Sequence, residues 1–277
     1  MKKGGWDLLR FIACFGNILL YTLGIVVACG LVVEGCYRLC FHLLGRRPGR
    51  VFWFATSWLG TPVHELGHAL MCLVFCHRIE RMRLFSGRRG VAMVRHSYSR
   101  KNVWATMGNL FIGLGPVFTG LAVILALLSL VYPNSLRAFY ATGAEGSGAL
   151  SLLFDRMWRL FQGLLGESTR PAWARIIVVL VLFSVTLHVR LSLADVRGMC
   201  RGLPAYLVVC AAASAIVSFM GATAYAEVLG GLRRFGGTVL MLFAIILLFA
   251  LLQLALVLIY RALAFLLAVL FARAPED

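Results

Sequence analysis

Apolar runs long enough to cross a lipid bilayer constrain this chain more than any other feature of its sequence. A transmembrane helix needs about 20 mostly apolar residues. Candidate spans lie near residues 11–33, 51–77, 103–131, 172–191, 203–229 and 237–260. Hydrophobic residues make up 61% of the chain and charged residues 14%, against roughly 45–50% and 25% in soluble domains. We therefore predict an all-α polytopic membrane protein of about six transmembrane helices, forming one membrane-embedded domain over residues 1–277.

The number of spans depends on two apolar extensions. Residues 34–44 either prolong the first span or lie along the membrane interface. The last apolar run continues beyond Tyr260 and Arg261 to Phe271. The sequence therefore leaves the count open by one span.

The basic residues lie in short segments between the apolar runs. Lys and Arg number 27 and Asp and Glu 11, which gives a net charge of +16. This distribution is typical of cytoplasmic loops beside anionic lipid, and no basic, aromatic-interleaved soluble domain is present to bind nucleic acid. We expect the lipid bilayer to be a partner and nucleic acid not to be one. If the N-terminus is cytoplasmic, Lys and Arg are in excess on the cytoplasmic side, so we predict this orientation. We also predict that the protein lies in the cell (inner) membrane.

Two connecting segments have recognisable patterns. The basic segment 79–98 contains two short apolar-alternating stretches around a Ser-Gly turn region and is predicted to form a β-hairpin. The polar, Gly-rich segment 133–170 includes an amphipathic stretch, 152–165, that fits a helix on the membrane surface. The eight cysteines follow no disulfide spacing.

The chemically informative segment runs from Thr61 to Ala69 and contains His64, Glu65 and His68. On a helix the two histidines lie one turn apart on one face, where they can bind one Zn²⁺. Glu65 can then act as the catalytic base on a metal-activated water. Ionisable side chains are costly within a membrane span and usually functional, which favours this interpretation over polar packing.

Several neighbouring residues have more than one interpretation. Pro62, with Thr61 as N-cap, indicates that the helix begins or kinks just before His64. Cys72 and Cys76 continue the histidine face, but each four-residue step rises about 6 Å. They are therefore too distant to share the same ion, and we expect them to be packing residues.

A catalytic zinc normally has three protein ligands. Among the downstream acidic residues, Asp195 and Glu227 remain as candidates for the third, and we favour Asp195. It lies in a polar segment at the end of a span that can fold back toward a metal. The competing interpretation is a salt bridge from Asp195 to Arg190 or Arg197.

Two further polar residues are candidates for roles beside the metal. His188 either orients a ligand or substrate or is a hydrogen-bonded histidine at the membrane boundary. Asn109 lies in a span interrupted by Gly113, Gly115 and Pro116. It can hydrogen-bond a substrate backbone, or the whole pattern can serve close helix packing.

The run His64-Glu65-Leu66-Gly67-His68-Ala69, followed by a basic hairpin-like segment, resembles the site-2 protease family of intramembrane zinc metalloproteases. The resemblance implies that His64 and His68 bind zinc and that Glu65 is catalytic. It also implies a third ligand, an Asp usually followed by Gly, in a later span. Asp195 matches in order, with Ala194-Asp195-Val196-Arg197-Gly198 in place of the usual Leu-Asp-Gly, so the chain is similar to a divergent or minimal member.

The function implied is Zn²⁺-dependent hydrolysis of peptide bonds in transmembrane or membrane-associated protein substrates. A regulatory protein partner is compatible with this function. One alternative is another class of membrane metalloprotease in which Glu227 is the third ligand. The other is a non-proteolytic zinc-binding membrane subunit that serves transport, assembly or substrate binding.

Overall fold

The computed structural model describes residues 8–86, 91–141, 149–166 and 169–272. Helices dominate, and a single small sheet accompanies them within those ranges. The helices are α1 (Leu8–Leu19), α2 (Ile25–Leu44), α3 (Arg46–Val74), α4 (Val103–Val131), α5 (Pro133–Tyr140), α6 (Ala149–Gly166), α7 (Ala172–His188), α8 (Leu193–Ser218) and α9 (Ala222–Ala272). A π-helical turn, Leu20–Gly24, joins α1 to α2.

Four of the described helical segments are long and apolar enough to cross a membrane: Leu8–Leu44, Val103–Val131, Leu193–Ser218 and Ala222–Leu270. The chain is therefore an integral membrane protein. The six spans predicted from sequence are not confirmed, because α7 has only 17 residues and α3 contains His64, Glu65 and His68 within its apolar stretch. Residues 34–44 do prolong the first span, as one of the two alternatives required.

The last two predicted spans have the wrong boundaries. Residues 203–229 do not form one helix, since α8 ends at Ser218 and α9 begins at Ala222, just after Gly221. The run 237–260 lies within α9, which continues through Arg261 to Ala272. At 1.5 Å per residue α9 is about 75 Å long, more than twice the ~30 Å hydrocarbon core that one transmembrane helix has to cross.

Helix α4 is the centre of the packing. It lies against α3, α7 and α8, while α2 packs along α9 and α1 along α8. The most completely buried side chains include Ile124 and Leu128 on α4, Leu182 on α7 and Phe249 on α9. Contacts of α4 with α3, α7 and α8 hold these four helices together.

The predicted β-hairpin is present as β1 (Arg78–Arg83) and β2 (Met93–Ser97), which pair antiparallel. Its turn at residues 87–90 lies outside the described ranges. The amphipathic stretch 152–165 lies in helix α6, and its place at the membrane surface remains a prediction.

Candidate active site

Helix α3 carries the two histidines on one face. It is continuous from Arg46 to Val74 and includes Pro62, so the helix does not begin at Thr61 as one alternative proposed. Proline has no N–H to donate to the preceding turn, but the helix continues through it. The Nε2 atoms of His64 and His68 are 3.2 Å apart, as the four-residue spacing predicts.

Backbone of α4 approaches α3 closely beside His68. A Cβ atom on Gly67 would lie 2.6 Å from backbone atoms of Gly115 and Pro116, and one on Gly115 would lie 2.4 Å from the Gly67 carbonyl oxygen. Only glycines allow this crossing. It brings the Ile112 carbonyl to 2.7 Å from His68 Nδ1, and because a carbonyl only accepts, Nδ1 carries the proton.

Helix α7 positions His64 in the same way. The carbonyl oxygen of His188 lies 2.7 Å from His64 Nδ1 and accepts a hydrogen bond from it, so Nδ1 carries the proton. Gly60 permits the approach, since a Cβ there would lie 2.3 Å from His188 Nδ1. The His188 imidazole itself donates through Nδ1 to the Ser184 carbonyl at 2.9 Å. Its Nε2 is buried and has no hydrogen-bond partner among the described residues.

Asp195 faces the histidines from the first turn of α8. It occupies the third helical position of a capping box: Ser192 Oγ accepts from the Asp195 N–H at 3.1 Å, and Asp195 Oδ2 accepts from the Ser192 N–H at 2.8 Å. Asp195 Oδ1 lies 3.1 Å from His68 Nε2, and Oδ2 lies 3.7 Å from His64 Nε2. The carboxylate thus belongs to the first turn of a new helix, whereas the sequence analysis placed it in a polar segment at the end of a span.

The donor atoms form a set that suits a divalent cation. Both Nδ1 atoms are protonated and donate to carbonyls, so each neutral imidazole presents an Nε2 lone pair toward the carboxylate of Asp195. These lone pairs and the negative charge repel one another unless a cation or a proton lies between them. Tetrahedral zinc with Zn–N bonds of 2.0–2.1 Å separates two ligand nitrogens by about 3.3 Å, close to the observed 3.2 Å.

A cavity of about 430 Å³ opens on this cluster. Glu65 lines it and is 7% exposed. Asn109 also lines the cavity and donates a hydrogen bond from its side-chain amide to the Thr106 carbonyl. Met93 and Val94 of β2 line the cavity too, so the hairpin forms part of its wall.

The residues named in the alternative interpretations of Asp195 are not members of the His64–His68–Asp195 cluster. Glu227 is exposed on α9 and does not line the cavity. Arg190 lies over the Tyr37 ring at 4.2 Å and 3.7 Å from Glu34, and no ion pair joins Asp195 to Arg190 or Arg197 in the described part of the chain. The cluster therefore consists of His64, His68 and Asp195.

Sequence reasoning missed the groups that orient these side chains. The carbonyls of Ile112 and His188 carry no sequence signal, because every residue has one. Ser192 did carry one: the pattern Ser192-Leu193-Ala194-Asp195 is a capping box that marks a helix start. It would have placed Asp195 in the first turn of α8.

A protein-family model described as "Peptidase M50B-like" matches residues 22–187, more than half of the chain. The match includes His64, Glu65 and His68 and ends before Asp195. No curated protein and no solved structure matches the chain.

Proposed function

We propose that this chain, which belongs to the Peptidase M50B-like family, is a membrane-embedded zinc metalloprotease acting on transmembrane or membrane-associated proteins. The observation that carries the proposal is the convergence of His64, His68 and Asp195 beside Glu65 in one cavity. Family membership supports peptidase activity, and the four apolar segments support a site in or beside the bilayer. We also propose the cell membrane as its location, with a cytoplasmic N-terminus.

The zinc ligands in this proposal are His64 Nε2, His68 Nε2 and one carboxylate oxygen of Asp195. Hydrogen bonds from the two Nδ1–H groups to backbone carbonyls fix the tautomers and ring orientations that ligation needs. Three protein ligands leave a position open, as in catalytic zinc sites. Zinc bound there would supply a Lewis acid that polarises a peptide carbonyl and lowers the pKa of water.

Glu65 is the proposed general base and acid. Its carboxylate lines the cavity next to the histidines, so it can accept a proton from the attacking water. The same carboxyl group then gives this proton to the leaving amine nitrogen. Burial of Glu65 keeps bulk water from competing for the proton.

The substrate must reach the cavity in an extended conformation. A helical substrate hydrogen-bonds its own carbonyls, so its scissile bond becomes accessible only after local unwinding. Strand β2 pairs with β1 on one side in the described part of the sheet and lines the cavity through Met93 and Val94. Its second edge can pair with an unwound segment by strand addition, while Asn109 contacts the substrate backbone.

Metal content of ligand variants tests the assignment and separates it from the Glu227 alternative. Asp195→Asn keeps an oxygen for the capping box but removes the anionic ligand, so we expect it to lose about one equivalent of zinc. Glu227→Gln should lose none. The reverse pattern would assign the third ligand to Glu227 and overturn the proposal for Asp195.

A second comparison separates the protease from the non-proteolytic zinc-binding subunit. Glu65→Gln is nearly isosteric and leaves all three proposed ligands intact. We expect it to abolish the protein's cellular function while zinc content is unchanged. Full function in this variant would favour the binding subunit.

A further inference from the structure

A second cluster of potential metal ligands lies one helical turn beyond the first. Cys72, His77 and His96 place a sulfur and two imidazole nitrogens within 4.8 Å of one another. Cys72 is fully buried and His77 is 4% exposed. None of the three belongs to the His64–His68–Asp195 cluster, and the proposed hydrolysis uses none of them.

The end of helix α3 brings Cys72 and His77 together. The His77 N–H donates to the Cys72 carbonyl at 2.8 Å and the Cys76 N–H to the Leu73 carbonyl at 3.2 Å. This is the Schellman motif, in which the side chain of the third-last helical residue, here Cys72, commonly contacts that of the second residue after the C-cap, here His77. The motif needs a residue in the left-handed conformation between them, and Cys76 adopts this conformation with a φ of 58°. That contact is usually apolar, whereas here a thiol meets an imidazole.

His77 is held in the orientation and tautomer of a metal ligand. Its Nε2 donates to the Ala105 carbonyl at 2.7 Å, so Nδ1 carries a lone pair directed into the cluster. Metal-binding histidines commonly donate their second ring nitrogen to a carbonyl in this way. The ring also stacks on Tyr98 at 4.7 Å, which restricts its rotation.

Strand β2 supplies the third group. His96 Nδ1 lies 2.8 Å from His77 Nδ1, so without metal one proton is shared between these nitrogens. Tetrahedral zinc needs about 3.3 Å between nitrogens and about 3.6 Å from nitrogen to sulfur. A shift of the partly exposed His96 ring by about 0.5 Å brings the nitrogen–nitrogen distance to that value, and both nitrogens already lie within 4.8 Å of the sulfur. His96 also lines the catalytic cavity, which gives an ion an entry path.

We propose that Cys72, His77 and His96 bind a second zinc ion that fastens strand β2 to the end of helix α3. One thiolate and two imidazoles are a ligand set that zinc prefers, with water in the fourth position. Binding releases the thiol proton of Cys72 and moves the His96 proton from Nδ1 to Nε2. Because Met93 and Val94 of the same strand line the cavity, the ion fixes the strand at the proposed substrate entrance.

Cobalt substitution tests this site independently of the first. The His64–His68–Asp195 cluster contains no sulfur, so a thiolate-to-Co²⁺ charge-transfer band in the near ultraviolet reports only a cysteine ligand. We expect the metal-free, full-length protein in detergent to develop this band on titration with Co²⁺. Cys72→Ser should abolish it and lose one of two bound ions, while the matched control Cys76→Ser should retain both.

Two further variants make the outcome decisive. His68→Ala should lose one ion yet keep the band, so a failed first site and a failed second site are distinguishable. His96→Ala changes a partly exposed strand residue and should weaken Co²⁺ binding, followed by the charge-transfer band, by more than about tenfold. This variant tests the site if Cys72→Ser does not fold. Absence of the band in the wild-type protein, its persistence in Cys72→Ser, or its loss in Cys76→Ser would overturn the proposal.

Discussion

Adding one methyl group at Gly67 should weaken metal binding at the first site. The new Cβ of Gly67→Ala would lie 2.6 Å from Gly115 and Pro116 backbone atoms, whereas ordinary contacts are 3.4–4 Å. Backbone cannot rotate away as a flexible side chain can, so α3 and α4 must separate by about 0.8 Å or more.

That separation has a calculable effect on His68. Ile112 lies one turn before Gly115 on α4 and moves with it, so the His68 Nδ1–carbonyl distance grows from 2.7 Å to about 3.5 Å, where little hydrogen bonding remains. Loss of such an orienting partner typically lowers metal affinity by about 10–100-fold. Overpacking should also lower the free energy of unfolding by about 1–3 kcal/mol.

Competition with a chromophoric zinc chelator measures the Kd of the first site for zinc, and thermal unfolding in detergent measures the stability of the protein. Gly35→Ala is the matched control, because a Cβ at Gly35 in α2 meets nothing within 4 Å. Zinc affinity in Gly67→Ala equal to that of Gly35→Ala would refute the claim that this helix crossing positions His68.

Three further predictions concern single side chains. Ser192→Ala removes the hydroxyl that accepts from the Asp195 N–H. It should lower stability by about 1 kcal/mol in thermal unfolding and zinc affinity by about tenfold in chelator competition. Ser192→Thr should preserve both stability and affinity. Cys76→Gly relieves a left-handed backbone and should stabilise the protein by about 0.5–1 kcal/mol; an unchanged Tm would argue against strain there. Gln253→Leu removes a buried hydrogen bond of 2.8 Å to the Phe183 carbonyl and should destabilise by about 1 kcal/mol, measured by thermal unfolding.

The sequence was most informative where periodicity alone determines geometry. Residues four apart on a helix share a face, so the proximity of His64 and His68 followed directly from their spacing. The hairpin followed from alternating residues around a turn. The placement of Asp195 near the histidines depended on the choice among acidic residues and on the resemblance to site-2 proteases.

Helix boundaries were less predictable because hydropathy does not determine where a helix stops. Arg261 interrupts an apolar run but not the backbone hydrogen bonding of α9, which passes through it. Gly221, in contrast, lies within a run predicted as one span, yet the helical structure is interrupted there between α8 and α9. The orienting carbonyls of Ile112 and His188 were inaccessible to sequence reasoning, since they depend on tertiary contacts at Gly67 and Gly60.

Cleavage of membrane substrates by purified protein tests the central claim most directly. Wild-type protein and Glu65→Gln, both loaded with zinc, are reconstituted into liposomes with a panel of single-span protein substrates, and products are identified by mass spectrometry. We predict that both proteins retain zinc at the His64–His68–Asp195 cluster and that only the wild type produces fragments. Equal cleavage by both proteins, or a wild-type protein that binds no zinc at this cluster, would contradict the proposed mechanism.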